Sequence, residues 1–212
     1  MIYGMGCLMR LLNTKKMPLT SMGSFIIIVI SFMSALASSM LYNGSYSIFN
    51  NWISDLGSSN KNPAGHIYFD IGCIFVGMAI IISTIGLEKW KTPSCKQNNI
   101  LLFSQFCGLL MALALIMVGI FSEDYGAIHY FWASIFFILF FIFMILTNIA
   151  LKTHLHYLKF VWYYALITIM INFLFILAST VGVHMPLLEW LAVLSGLIWM
   201  GLIGYNTLKL EK

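Results

Sequence analysis

Charged side chains are scarce in this chain. Eleven lysines and arginines and seven acids make up 8% of its 212 residues, against 61% hydrophobic residues. A soluble domain carries about 25% charged residues, and a soluble core of this length could not hide so much apolar surface. Soluble enzymes and binding modules are excluded. The four cysteines show no CxxC or Cys/His spacing, so neither a zinc site nor a disulfide framework is indicated. GxSxG and HExxH are both missing, which removes the two commonest hydrolase signatures. The apolar runs lack period-2 alternation, and that excludes a β-barrel.

What is present is a series of long apolar runs. A membrane-crossing helix needs about 20 mostly apolar residues, and six stretches qualify: 23–42, 66–87, 100–121, 128–151, 158–182 and 187–208. The expected fold is all-α, a polytopic membrane protein with six transmembrane helices. Residues 1–22 form an N-terminal segment, 23–208 the transmembrane domain and 209–212 a short tail. The first run is preceded by basic residues, and "SALASSM" imitates a cleavage site. Its apolar stretch exceeds the 7–15 residues of a signal peptide, so a retained helix is expected.

Basic residues set orientation. Arg10, Lys15, Lys16, Lys89, Lys91, Lys96, Lys152, Lys159, Lys209 and Lys212 fall on one side by parity, and only Lys61 falls on the other. Both termini are therefore expected in the cytoplasm of a multi-pass protein of the cell membrane. The net charge of +4 is explained by these flanks and implies no nucleic-acid partner; the partners implied are membrane lipids. The oligomeric state has no signature here.

The acids divide the opposite way. Asp55, Asp70, Glu123, Asp124 and Glu189 gather at the outer end with His66, His129 and His184. Asp70 lies about one turn inside the second run, four residues after His66, so the two share a helix face. An ionisable group inside a span is costly and normally faces the bundle interior or a water-filled cavity. Glu189 follows Pro186 in the first turn of the last run, where the helix dipole favours an anion. The tryptophans at the run ends, Trp52, Trp90, Trp132, Trp162 and Trp190, fit an interfacial aromatic belt. Glycines within the runs, such as Gly72, Gly77 and Gly108, fit helix packing, and Gly57 fits a turn. Asn43-Gly-Ser is a short sequon in the outer loop.

"NWISDLGSSNKNPAGHIYFDIGCIFVG" resembles the opening signature of the domain-of-unknown-function 998 family (DUF998) of six-span membrane proteins. The residues that carry the resemblance are Ile53-Ser54-Asp55-Leu56-Gly57, then Gly119-Ile120-Phe121 with Asp124 and His129. A more distant similarity is to the eukaryotic DRAM/Sfk/FRAG membrane proteins, where Glu189-Trp190 matches an "EW" pair and Leu56 departs from a Thr. The first resemblance implies the fold and no settled activity. The second implies a link to autophagy or to lipid remodelling.

Three functions compete. Asp55, His66, Asp70, Asp124 and His129 are the candidate catalytic residues of a lipid-handling or lipid-modifying protein, because carboxylate with imidazole supports acid–base chemistry. Ser54, Glu123, Glu189 and Trp190 are candidate substrate contacts. No cofactor is named and no metal set is assigned. The alternative is a non-catalytic scaffold or sensor, in which the same groups tie outer loops together. A transporter is disfavoured, since Asp70 is the one acid placed within a span and broken helices are not apparent.

Overall fold

The computed structural model describes residues 17–210. Arg10, Lys15, Lys16, Glu211 and Lys212, with Cys7, lie outside the described residues. Among the described residues six helices are long and apolar enough to cross a membrane: α1 (Leu19–Met40), α2 (His66–Gly86), α3 (Cys95–Ile120), α4 (Ala127–Leu151), α5 (Lys159–Thr180) and α6 (Pro186–Lys209). No strand occurs among the described residues. Short 3-10 turns precede α2 (Ser54–Gly57), extend it (Leu87–Trp90) and precede α4 (Glu123–Tyr125).

Two helices start earlier than hydropathy indicates. Pro18 precedes α1, which then opens on small and hydroxyl residues that apolarity alone would leave out. These are buried and satisfied by neighbouring helices. Thr20 donates to the Ser83 carbonyl at 3.1 Å, and Ser21 donates to the Gly204 carbonyl at 2.7 Å. α3 begins five residues early because Asn98 closes a loop on Thr92, accepting its N–H at 2.9 Å and donating to its carbonyl at 2.7 Å. Pro186 occupies the first turn of α6, where its missing N–H costs nothing.

Consecutive helices pack side by side, and α1 closes the ring against α6. Lys89, Lys91, Lys96, Lys152, Lys159 and Lys209 lie at one end of the bundle, and Lys61 lies at the other with Asp55, Glu123 and Asp124. The lysine end is densely packed. Trp90, 1% exposed, donates its indole N–H to Thr207 Oγ1 at 2.9 Å. Tyr157 donates to Asn148 Oδ1 at 2.8 Å. Asn206 accepts from the Leu158 N–H and donates to the His156 carbonyl, which fixes the α4–α5 loop on α6.

Glycine sets helix separation where α1 meets its neighbours. A Cβ on Gly204 would stand 2.6 Å from the Ser24 Cβ, and one on Gly23 would stand 2.5 Å from the Ser83 nitrogen. Such close approach is the usual route to packing between membrane helices, whose lipid surroundings supply no hydrophobic drive.

Candidate functional site

The connection between α1 and α2 folds over the acidic end as a cap. Its anchor is Asn62, which is fully buried. Its amide donates to the Ser38 carbonyl and hydroxyl and to the Leu56 carbonyl at 2.8–3.1 Å, and its oxygen accepts from the Gly65 N–H at 3.1 Å. Ser38 itself donates to the Leu56 carbonyl at 3.0 Å. These bonds satisfy backbone groups that a loop buried at a bundle end would otherwise leave unpaired.

Asp55 sits in the 3-10 turn at 4% exposure. It accepts from the Trp52 N–H at 3.0 Å and from Asn51 at 3.4 Å. Lys61 reaches it at 2.5 Å and also reaches Glu123 at 2.8 Å. Lys61 thus ties the cap to the α3–α4 connection. Partial burial works against its charge, but Asp55 and Glu123 outweigh that and hold its pKa above the usual lysine range. Burial pushes the Glu123 carboxyl up, and Lys61 offsets only part of the shift. Glu123 Oε2 is buried without a hydrogen-bond partner.

Asp124 makes a second tie. It accepts from the Ser58 hydroxyl at 2.7 Å, the Ser59 N–H at 2.6 Å and the Asn60 amide at 2.8 Å. Desolvation opposes its ionisation, yet these donors together outweigh it and hold the carboxyl well below the usual range. Glu189 makes a third tie, accepting from the Ile53 N–H at 2.7 Å while 7% exposed. Trp190 beside it donates to the Asn51 carbonyl at 3.1 Å. The Trp52 ring meets His184 edge-on at 5.0 Å.

The candidate residues therefore do not form one constellation. His66 pairs with Asp70 at 3.2 Å within α2. His129, 2% exposed, pairs with the Phe121 carbonyl at 2.8 Å. Asp55 pairs with Lys61. Among the described residues no hydrogen bond joins Asp55, Asp70 and His129 to one another, and no group of three His, Cys, Asp or Glu could hold a metal ion. Gly57 and Glu189 lie in a turn and in the first turn of α6 as expected, each with a further role, whereas the aromatic-belt reading of two tryptophans is corrected. Gly57 has no positive φ; it is needed because a Cβ there would meet Asp70 Oδ1 at 2.6 Å and the Phe69 ring at 2.9 Å. Trp90 and Trp190 are buried hydrogen-bonding anchors rather than belt residues. Glu189 binds the cap in addition to any dipole effect.

What the sequence did not reveal is a cavity of about 660 Å³ beneath the cap. Its walls are apolar side chains of α1, α2, α3, α4 and α6, such as Val76, Met111, Phe137 and Leu197. Four candidates line it near the acidic end: Ser54, His129, Glu189 and Trp190. Phe32 of α1 and Ile198 of α6 also line it while 64% and 52% exposed, so it opens sideways between these two helices. The small residues explain the shape. Gly201 and Gly204 draw α6 onto α1 near the lysine end, whereas Leu194 and Leu197 face the cavity farther along. Asp55, Glu123 and Asp124 do not line it; they hold its roof. Asn62 and Tyr46, which complete the roof with Ser38 of α1, carried no sequence signal beyond lying in a loop.

The fold and cavity define a class: a six-helix multi-pass membrane protein whose interior chamber is roofed by a structured loop. Within that class, the chain belongs to the family described as Protein of unknown function (DUF998), whose model matches residues 25–206. No curated protein and no solved structure matches the chain.

Proposed function

We propose that this is a lipid-handling protein of the cell membrane, with its lysine end in the cytoplasm, that accepts the hydrocarbon chain of an outer-leaflet lipid into the cavity. The observation that carries this reading is the chamber's form. It is apolar, it opens toward the surface that lipid would cover, and its volume lies within the roughly 300–1,000 Å³ range of ligand pockets. From Glu189 to Met200 it follows α6 for twelve residues, a rise of about 17 Å at 1.5 Å per step. That is close to one leaflet, about half of a 30 Å hydrocarbon core. A chain in the chamber would place its polar end at Ser54, His129 and Glu189. Those three are the residues any lipid-modifying step would use. The distant similarity to the DRAM/Sfk/FRAG proteins, with their link to lipid remodelling, agrees with this reading.

The test is retention of lipid. Protein purified in mild detergent should carry a bound lipid in native mass spectrometry. Ala133→Phe and Val193→Phe, which place a ring in the chamber, should lose it while keeping the melting temperature within a few degrees. Wild-type protein that never retains lipid would overturn the reading.

A scaffold or sensor is the second reading. It is favoured by the full engagement of Asp55 and Asp124 in holding the cap. It predicts that the two ring-inserting variants remain fully functional in cells.

A further inference from the structure

The polar end of the chamber is one-sided in its hydrogen-bonding chemistry. Its donors are already spent on protein acceptors. The Ile53 N–H goes to Glu189 at 2.7 Å. The Tyr46 hydroxyl goes to the Trp52 carbonyl at 3.0 Å, and the Trp190 indole N–H goes to the Asn51 carbonyl at 3.1 Å. Lys61, the only lysine at this end among the described residues, is held by Asp55 and Glu123.

What faces the chamber is acceptor-rich. Glu189 offers a carboxyl group. His129 keeps its Nδ1 hydrogen on the Phe121 carbonyl at 2.8 Å, because a carbonyl can only accept. That leaves Nε2 as the acceptor of the neutral ring. The Ser54 hydroxyl can act either way. Behind these residues stand Asp55, Glu123 and Asp124, so the local field opposes an anion.

From this arrangement we infer the class of ligand: a single-chain lipid whose polar end is an uncharged or cationic hydrogen-bond donor, a hydroxyl or an ammonium, and not a carboxylate or phosphate. The inference rests on the lipid-chain reading above and adds the head group to it. A hydroxyl would donate to His129 Nε2 or Glu189. A bound ammonium would hold Glu189 in its ionised form and gain a charge-assisted bond to it. A carboxylate or phosphate would find no cation and only the Ser54 hydroxyl as a donor, facing the Glu189 carboxyl group, and would be rejected by the cost of burying a poorly paired anion. The chain itself gives little preference, since the bilayer is as apolar as the chamber. Selectivity therefore resides at this polar end.

The experiment compares three tritiated probes with the same chain, 1-hexadecanol, hexadecylamine and palmitate, in equilibrium binding to the purified full-length protein. The alcohol and the amine should each bind at least about tenfold more tightly than palmitate. Glu189→Gln keeps an acceptor for the Ile53 N–H and should reduce amine binding more than alcohol binding, which separates the two donors. Palmitate binding as tightly as the alcohol and the amine would overturn the head-group inference and leave the lipid reading standing. Failure of all three probes, with no lipid retained on purification, would overturn both. The wild-type ranking decides the matter even if the variant fails to fold.

Discussion

Removing the Lys61 ammonium leaves Asp55 and Glu123 facing each other across a partly buried gap, and the consequence depends on pH. The raised pKa of Lys61 means that its own contribution is fully present below the unfolded lysine value and constant from pH 5 to 8. Glu123 behaves oppositely. Its folded pKa is raised, so ionising it costs stability as pH rises through its unfolded value. In Lys61→Met neither carboxylate has a cation, and that cost grows. The variant should lose about 1–3 kcal/mol at pH 8 and clearly less at pH 5, measured by thermal unfolding in detergent. Equal losses at both pH values would show that Lys61 does not compensate these carboxylates. Sequence reasoning placed Lys61 among the acids by parity alone; its double pairing depends on how the α3–α4 connection folds.

At the scale of elements, the spans were legible because membrane helices must satisfy every backbone group internally, which imposes length and apolarity that any window of sequence reveals. The starts of α1 and α3 were not. Thr20 and Ser21 look like loop residues by polarity, and only the partners Ser83 and Gly204 turn them into helix contacts. The α1–α6 seam tests this. Gly204→Leu would drive a side chain into Ser24 and the Ser21 backbone. Overpacking of this kind costs about 1–3 kcal/mol. The variant should melt lower and lose the Ser21–Gly204 bond, whereas Leu194→Ala, on the open stretch of the same helix, should leave the melting temperature nearly unchanged.

For the whole molecule, sidedness can be read from a native thiol. Cys95 is exposed at the lysine end, and Cys73 and Cys107 are buried. In a Cys7→Ser background, a membrane-impermeant maleimide should leave intact cells unlabelled and modify Cys95 only in opened membranes. Labelling of intact cells would reverse the orientation. Such a reversal would also place the chamber's polar end in the cytoplasmic leaflet.

"NWISDLGSSN" shows where legibility stopped. That Asp55 belongs to an acid-rich end with His66, Asp70, Asp124 and His129 follows from parity and composition, because charge avoids the hydrocarbon and collects at span ends. Sequence by itself determined the class of protein, the number of helices, their order and the separation of lysines from acids. Those properties come from local hydropathy and chain connectivity. Only the tertiary structure decided which polar groups hold the roof and which face the chamber. Asp55 and Asp124 turn to the cap, while Ser54, His129 and Glu189 turn inward. The reason is physical: a side chain's partner is fixed by how helices distant in sequence approach one another, and that approach was set here by glycines and serines whose contacts no single run of residues contains.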